Sequence, residues 1–237
     1  MCRPTLPRAA LNARILDMIV DLSHRISNGL RGYPGIPPLA ITEWLTHEQS
    51  RARYQGQCEL LFSQVSVVAG VGTYLDSPYH RQPGLPDHAT LPLDGLVDLP
   101  GVIIDLRHRP GRPITSSLLS GGAGGAWRGK AVILQTGMDA HWETDRYWDE
   151  GPFLEAAAAD ALVASGLAVL GVDFLNVDDM TDPRRPVHTT LLRAGIPIVE
   201  NLKDVSKLPA SGFRFHAPPV PFAGVASFAI RAYAVLG

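Results

Sequence analysis

Five short apolar runs are the feature that most constrains what this 237-residue chain can build. They are MIVDLSH (18–24), GVIIDLR (101–107), KAVILQTG (130–137), LAVLGVD (167–173) and IPIVEN (196–201). Each has the length and β-branched content of a buried strand. Helix candidates lie between them, so the expected fold class is α/β, with a mixed β core and peripheral helices. Four runs place an acid near the strand's end: Asp21, Asp105, Asp173 and Glu200. Strand ends in α/β sheets are common places for sites. For any one of these acids alone, a turn former is the simpler reading.

GPFLEAAAADALVASG (151–166) predicts the clearest helix. Pro152 suits a first turn, the alanines favour helix and Gly166 is a C-terminal stop. TTLLRAG (189–195) predicts a short helix starting just after His188, and SFAIRAYAVL (227–236) reads as a last strand. GGAGGAWRG (121–129) lacks the Lys-Ser/Thr ending of a phosphate loop and reads as a flexible connection. Residues 81–100 carry four prolines in a long loop, and long ordered loops are often functional. With no repeat, linker or heptad, one domain is expected over 18–237. An extension over 1–17 precedes it, with Met18 as an alternative start.

Charge and cysteine use narrow the function classes. The net charge is −2 and no basic run stands out, which argues against a nucleic-acid partner. Of the two cysteines, Cys2 lies at the extreme N-terminus and Cys58 has no evident base partner. A structural disulfide is not expected, Cys58 reads as inert, and a reducing compartment fits. No apolar run approaches a membrane span, and ILDMIVDL is broken by Asp17 and Asp21. A protein of the cytoplasm, without membrane contact, is expected.

The chemistry concentrates in GVGTYLDSPYHRQPG (70–84), which sets Asp76 and His80 four residues apart in a Gly/Pro loop. Farther on, His188 and Glu200 lie twelve apart, with a short helix between them. Two carboxylates and two histidines, if they converge, suit zinc or manganese. An open metal position would lower the pKa of a water, and a spare histidine would shuttle its proton. Spacing alone does not require the two pairs to meet.

DLSH (21–24), YPG (33–35), GTYLDSPYH (72–80), TG (136–137), GVD (171–173) and HTTLLRAGIPIVENL (188–202) resemble, in order and spacing, the cyclase family. That family includes the bacterial kynurenine formamidases and the isatin hydrolases. The resemblance implies a swivelling β/β/α fold and a homo-oligomer, a dimer or tetramer. It implies hydrolysis of a non-peptide C–N amide bond in a small molecule, the best-known case being N-formylkynurenine to kynurenine and formate in tryptophan catabolism. It gives Asp76, His188 and Glu200 the places of metal ligands and His80 that of the acid/base.

Gly70 and Tyr74 stand where the family has two further metal-binding histidines. The implied site is then one divalent metal, zinc or manganese, on Asp76, His188 and Glu200. The alternatives are metal-free chemistry on an Asp76–Glu200 pair assisted by His80, or a non-catalytic pocket for a small ligand. Tyr74 has two even readings, a packing aromatic or a catalytic hydroxyl donor to substrate or oxyanion. His88 could replace a lost ligand, although a solvated loop histidine is simpler. Asp173 and Asp178 are expected to hold loops through backbone hydrogen bonds. Trp142 and Trp148 could line an aromatic pocket, with ordinary packing the simpler reading.

Overall fold

The computed structural model describes residues 19–33, 35–109, 111–120 and 127–237. The expected extension over 1–17, Cys2, Pro34 of YPG and most of the glycine-rich stretch 121–129 lie outside the described residues. In chain order the elements are β1 (Ile19–Asp21), β2 (Ala40–Leu45), α1 (His47–Arg53), β3 (Phe62–Ser66), β4 (Tyr74–Asp76) and β5 (Leu99–Asp105). Then come β6 (Pro113–Ile114), α2 (Ser116–Ser120), β7 (Ala131–Gln135), α3 (Asp145–Asp149), β8 (Phe153–Leu154) and α4 (Ala156–Ser165). The chain closes with β9 (Val169–Val172), α5 (Pro186–Arg193), β10 (Ile198–Glu200), β11 (Ser211–His216), β12 (Ser227–Ala229) and β13 (Tyr233–Leu236). Among the described residues no helix is long and apolar enough to cross a membrane.

Nine strands form one mixed sheet in the order β1-β13-β11-β5-β7-β9-β10-β4-β12. Four of the five expected runs supply its parallel centre, β5-β7-β9-β10, the first run is the antiparallel edge strand β1, and antiparallel strands flank the centre on both sides. The centre is buried on both faces, which is why those runs read as continuous apolar stretches. Alternate residues feed two cores. Val132, Leu134, Leu170, Val172 and Ile198 enter the helix-covered one, with Ala158, Leu162, Val187 and Leu191 from α4 and α5. Ile133, Val169 and Val199 enter the other, where Phe213, Phe215 and Ala234 of β11 and β13 meet them.

That second core requires the sheet to close on itself, and connectivity says the same. β13 is second and β12 ninth in the order, seven spacings apart, or roughly 34 Å if the sheet were flat. Only residues 230–232 join them, a span of at most about 14 Å. The run 227–236 is therefore two strands and not the single one expected. It breaks because its middle is tied elsewhere. Ile230 N–H donates to the Thr73 carbonyl (3.0 Å), and Ala232 N–H donates to Ser23 Oγ (2.7 Å). Arg231 pairs with Asp21 (2.7 Å).

Two helix boundaries also differ from expectation. Residues 151–155 stay extended because Phe153 and Leu154 pair with Pro113 and Ile114, so the helix begins at Ala156. Gly166 ends it in a left-handed turn, as expected. The second helix begins at Pro186, which fits a first turn, and so includes His188. Apart from the main sheet, β2 and β3 pair only with each other and form a two-stranded arm beside α1. Trp44 (65% exposed), Phe62 and Val65 are open to solvent on it.

Gly101 of β5 faces Phe213 in register, and an added Cβ would lie 2.0 Å from the ring. Gly101→Ala should displace a fully buried ring and cost about 1–3 kcal/mol in urea unfolding, whereas an unchanged midpoint would mean the ring is free to move. His24 stacks on Trp142 (centroids 3.9 Å apart), and its Nε2 is buried without a partner. Burial first, then the charge of Lys203, hold its pKa down to about 4 from an ordinary 6.5, against Asp204. The unfolded chain therefore takes up this proton first, and stability falls as pH drops from 6.5 toward 4. In His24→Phe, which keeps the stack, the urea midpoint should fall less over that window. Equal pH slopes for the two proteins would show that His24 does not titrate this way.

Candidate functional site

Three strands make the floor of the site. β4 lies between β10 and β12, with Tyr74 opposite Glu200 and Ala229, and Asp76 opposite Ile198 and Ser227. Directly paired residues share a face, so Tyr74, Asp76, Glu200 and Ser227 all point to the helix-covered side. Leu75 and Val199 point into the other core. The segment expected as a loop is thus a buried strand followed by a tight turn. Ser77 is tied to the Ala226 carbonyl through N–H (2.9 Å) and Oγ (2.8 Å), and the 3-10 turn Pro78–His80 brings His80 back toward the floor. Beneath it, His88 is neither a ligand nor solvated. It is buried, with Nε2 2.9 Å from the Leu75 carbonyl, and so braces β4.

The fourth side chain comes from α5. Asp178 accepts hydrogen bonds from the backbone N–H of Val187 (2.7 Å) and of His188 (3.0 Å). The same carboxylate lies 2.6 Å from His188 Nδ1. It therefore satisfies the helix start and fixes the imidazole, leaving Nε2 3.4 Å from Asp76 Oδ2 and 3.6 Å from Glu200 Oε1. Glu200 accepts from Val177 N–H (2.8 Å) on one oxygen and from the Tyr74 hydroxyl on the other. The His80 ring lies 5.9 Å from that of His188, centroid to centroid.

Electrostatics follow from three carboxylates around one buried imidazole. Burial disfavours charge on His188, but Asp178, Asp76 and Glu200 outweigh it and raise its pKa to about 10. Burial, with the charge of Asp76, raises Glu200 to about 7, against His188 and the bonds from Tyr74 and Val177. Burial also pushes Asp76 up, yet His188, His80 and Ser227 bring it below 3.8, so Asp76 carries the negative charge. His80 is lowered by burial first, and by the charges of His188 and Arg81, against Asp76. Burial and the carboxylates of Glu200 and Asp76 keep Tyr74 a protonated donor.

These residues open into a cavity of about 570 Å³ with Ile36, Val67 and Phe228 on its walls. The size suits a ligand of one or two rings. Asp76, His80, Tyr74, His188 and Glu200 all line it, as does Gly70. Gly70 has φ +86, and an added Cβ would meet Tyr33 Cβ at 3.7 Å and the Tyr74 ring at 4.0 Å, ordinary van der Waals contact. Within this group, one donor atom each of Asp76, His80 and His188 lie within 4.8 Å of one another. A cation fits here: the donors are oxygen and nitrogen, the anions outnumber the imidazoles' charge, and Asp178 sets the ring as second-sphere carboxylates do. Trp142 and Trp148 pack against Tyr147 away from the cavity lining. Asp173 lies outside it too, accepting from Thr136 and Gly137 N–H.

Sequence reasoning missed the ring contact of Asp178, the Ser227 hydroxyl on Asp76, and Arg185 in the cavity wall. The run Asp178…Pro-Val-His carried a readable signal, an acid shortly before a proline-initiated helix.

A family model described as putative cyclase matches residues 20–179. A kynurenine formamidase from Bacillus cytotoxicus is 27% identical over 183 residues, covering 77% of this chain and 81% of its own. A crystal structure of an isatin hydrolase bound to the product analogue thioisatinate superposes with TM-score 0.81 at 19% identity, covering 96% of both chains. A potential metal-dependent hydrolase with cyclase activity superposes with TM-score 0.69 at 22% identity, covering 91% of this chain and 96% of its own.

Asp178→Ala leaves two backbone donors and a buried ring nitrogen unpaired. A stability loss of about 1–3 kcal/mol in urea unfolding is expected. A loss within experimental error would show that water replaces the carboxylate without cost.

Proposed function

The chain belongs to the cyclase family, and from that premise we propose that it is a metal-dependent hydrolase of a non-peptide C–N amide bond, arylformamidase-like in substrate class. The observation that carries this reading is the convergence of Asp76, His80, His188 and Glu200 on one cavity. The names of the relatives, a kynurenine formamidase and an isatin hydrolase, support it. A divalent metal, zinc or manganese, held by Asp76, His188 and Glu200 would polarise the amide carbonyl and favour ionisation of a water.

The chain's own residues do the rest. Asp178 accepts the Nδ1 proton of His188, which turns Nε2 toward the site. Tyr74 donates to Glu200 and fixes the plane of that carboxylate. His80, its pKa lowered by burial, is neutral near pH 7. It accepts the proton of the attacking water and delivers it to the leaving nitrogen as the C–N bond breaks. An aryl formamide would give formate and an aryl amine, which would place the enzyme in tryptophan breakdown toward kynurenine.

A homodimer or tetramer is part of the proposal, supported by Trp44, Phe62 and Val65 exposed on the two-stranded arm. A cytoplasmic location is supported by the free, exposed Cys58 in a chain with two cysteines. One feature favours a second reading, a metal-free pocket for a small ligand. The Tyr74 hydroxyl occupies one Glu200 oxygen, and a protonated His188 offsets part of the carboxylate charge.

Metal per chain, measured beside aryl-formamide turnover, separates the readings. About one metal per chain is expected in the wild type, and none in Asp76→Ala. His80→Ala should keep its metal and lose turnover by roughly a hundredfold or more. Loss of metal in His80→Ala would make His80 a ligand. A wild type that takes up neither zinc nor manganese would sink the metal-dependent mechanism.

A further inference from the structure

Two arginines line the same cavity, Arg81 and Arg185. Among the described residues neither has a carboxylate within ion-pair distance. Arg185 donates to the Tyr33 hydroxyl (2.7 Å), to Asn176 Oδ1 (3.5 Å) and to the Met180 carbonyl (3.4 Å), all neutral. Arg81 donates to Thr189 Oγ1 (3.0 Å) and to the Arg184 carbonyl (3.4 Å), also neutral. The nearby acids are engaged elsewhere. Asp182 pairs with Arg184 (2.8 Å), and Asp178 holds the start of α5.

The placement of Arg185 carries a backbone cost. It sits at φ +48, ψ 59, in the left-handed region, immediately before Pro186. That conformation is unfavourable for a residue with a Cβ and for one preceding proline. Such strain persists where the surrounding structure enforces it, and it gathers at ligand sites. Here it sets the side chain three residues ahead of His188, beside the first turn of α5. Tyr33 steadies it, with the guanidinium carbon 6.0 Å from the ring centroid.

A half-buried arginine whose acceptors are all neutral keeps its charge, and the N–H groups not so engaged, for a ligand. We propose that Arg185, steadied by Tyr33 and flanked by Arg81, binds an anionic group of the substrate, so that the favoured amide carries a carboxylate apart from the bond that is cleaved. The word substrate rests on the hydrolase reading; the anion site itself does not.

The test uses two matched pairs. Anthranilate and anthranilamide, titrated calorimetrically, need no turnover. 2-Formamidobenzoate and its methyl ester report hydrolysis. The wild type should bind anthranilate roughly tenfold or more tighter than anthranilamide. It should also show a correspondingly lower KM for the free acid than for the ester. Arg185→Gln should erase both preferences at unchanged metal content, and Arg185→Lys should recover part of them. No preference for the anion in the wild type would overturn the proposal without recourse to any variant. So would an Arg185→Gln that weakens charged and neutral ligands alike. Anion binding that depends on Arg185, without hydrolysis of any amide, would sink the hydrolase and leave the anion site standing.

Discussion

Three residues hold the molecule in its shape. Ile230, Arg231 and Ala232 cross from the second strand of a nine-stranded order to the ninth, and a chain that short can do so only if the sheet curls round on itself. Their partners, Thr73, Asp21 and Ser23, lie just before β4, at the end of β1 and just after it, so the crossing fastens both. Closure matters for the site because it seats β12 against β4. Without that neighbour Asp76 would lose Ser227, and β4 would become an edge strand of three residues.

On that floor the chain gathers more negative charge than it neutralises with side chains of its own. Ionised groups taken out of water are costly unless paired and hydrogen-bonded. Asp178 meets this requirement with three bonds, and Glu200 meets it with Tyr74 and Val177 N–H. Asp76 leans on the Ser227 hydroxyl and on the two histidines. Such a site is open to a cation from outside, and equally to a proton on His188. Metal and proton compete for the same imidazole nitrogen, so ligation there is tied to proton release.

The sequence spoke clearly where one physical effect acted alone. The parallel centre was legible because strands buried on both faces must be continuously apolar, as AVILQ and VLGV are. β4 was not legible as a strand, because YLD is three residues and its strand character comes from distant partners rather than local pattern. The convergence of Asp76 and His80 with His188 and Glu200 was open on spacing alone and became an expectation through the motif. His88 was misread because a histidine in a proline-rich loop gives no local sign that a carbonyl thirteen residues back will take its ring. The last run looked like one strand because its alternation continues through 230–232, while the break there is enforced from Thr73 and Ser23.

The closed sheet also has a consequence in time. β12 and β13 follow every other strand in the chain, yet one completes the floor of the site and the other sits between β1 and β11. A ribosome making this protein from its N-terminus would release the parallel centre long before the residues that seal it. Until residues 227–236 emerge, β4 has one free edge and β1 has no partner strand. Pairings between segments so distant in sequence form slowly. Assembly of the pocket therefore waits on the pairing of β12 with β4, and the interval before that pairing favours aggregation.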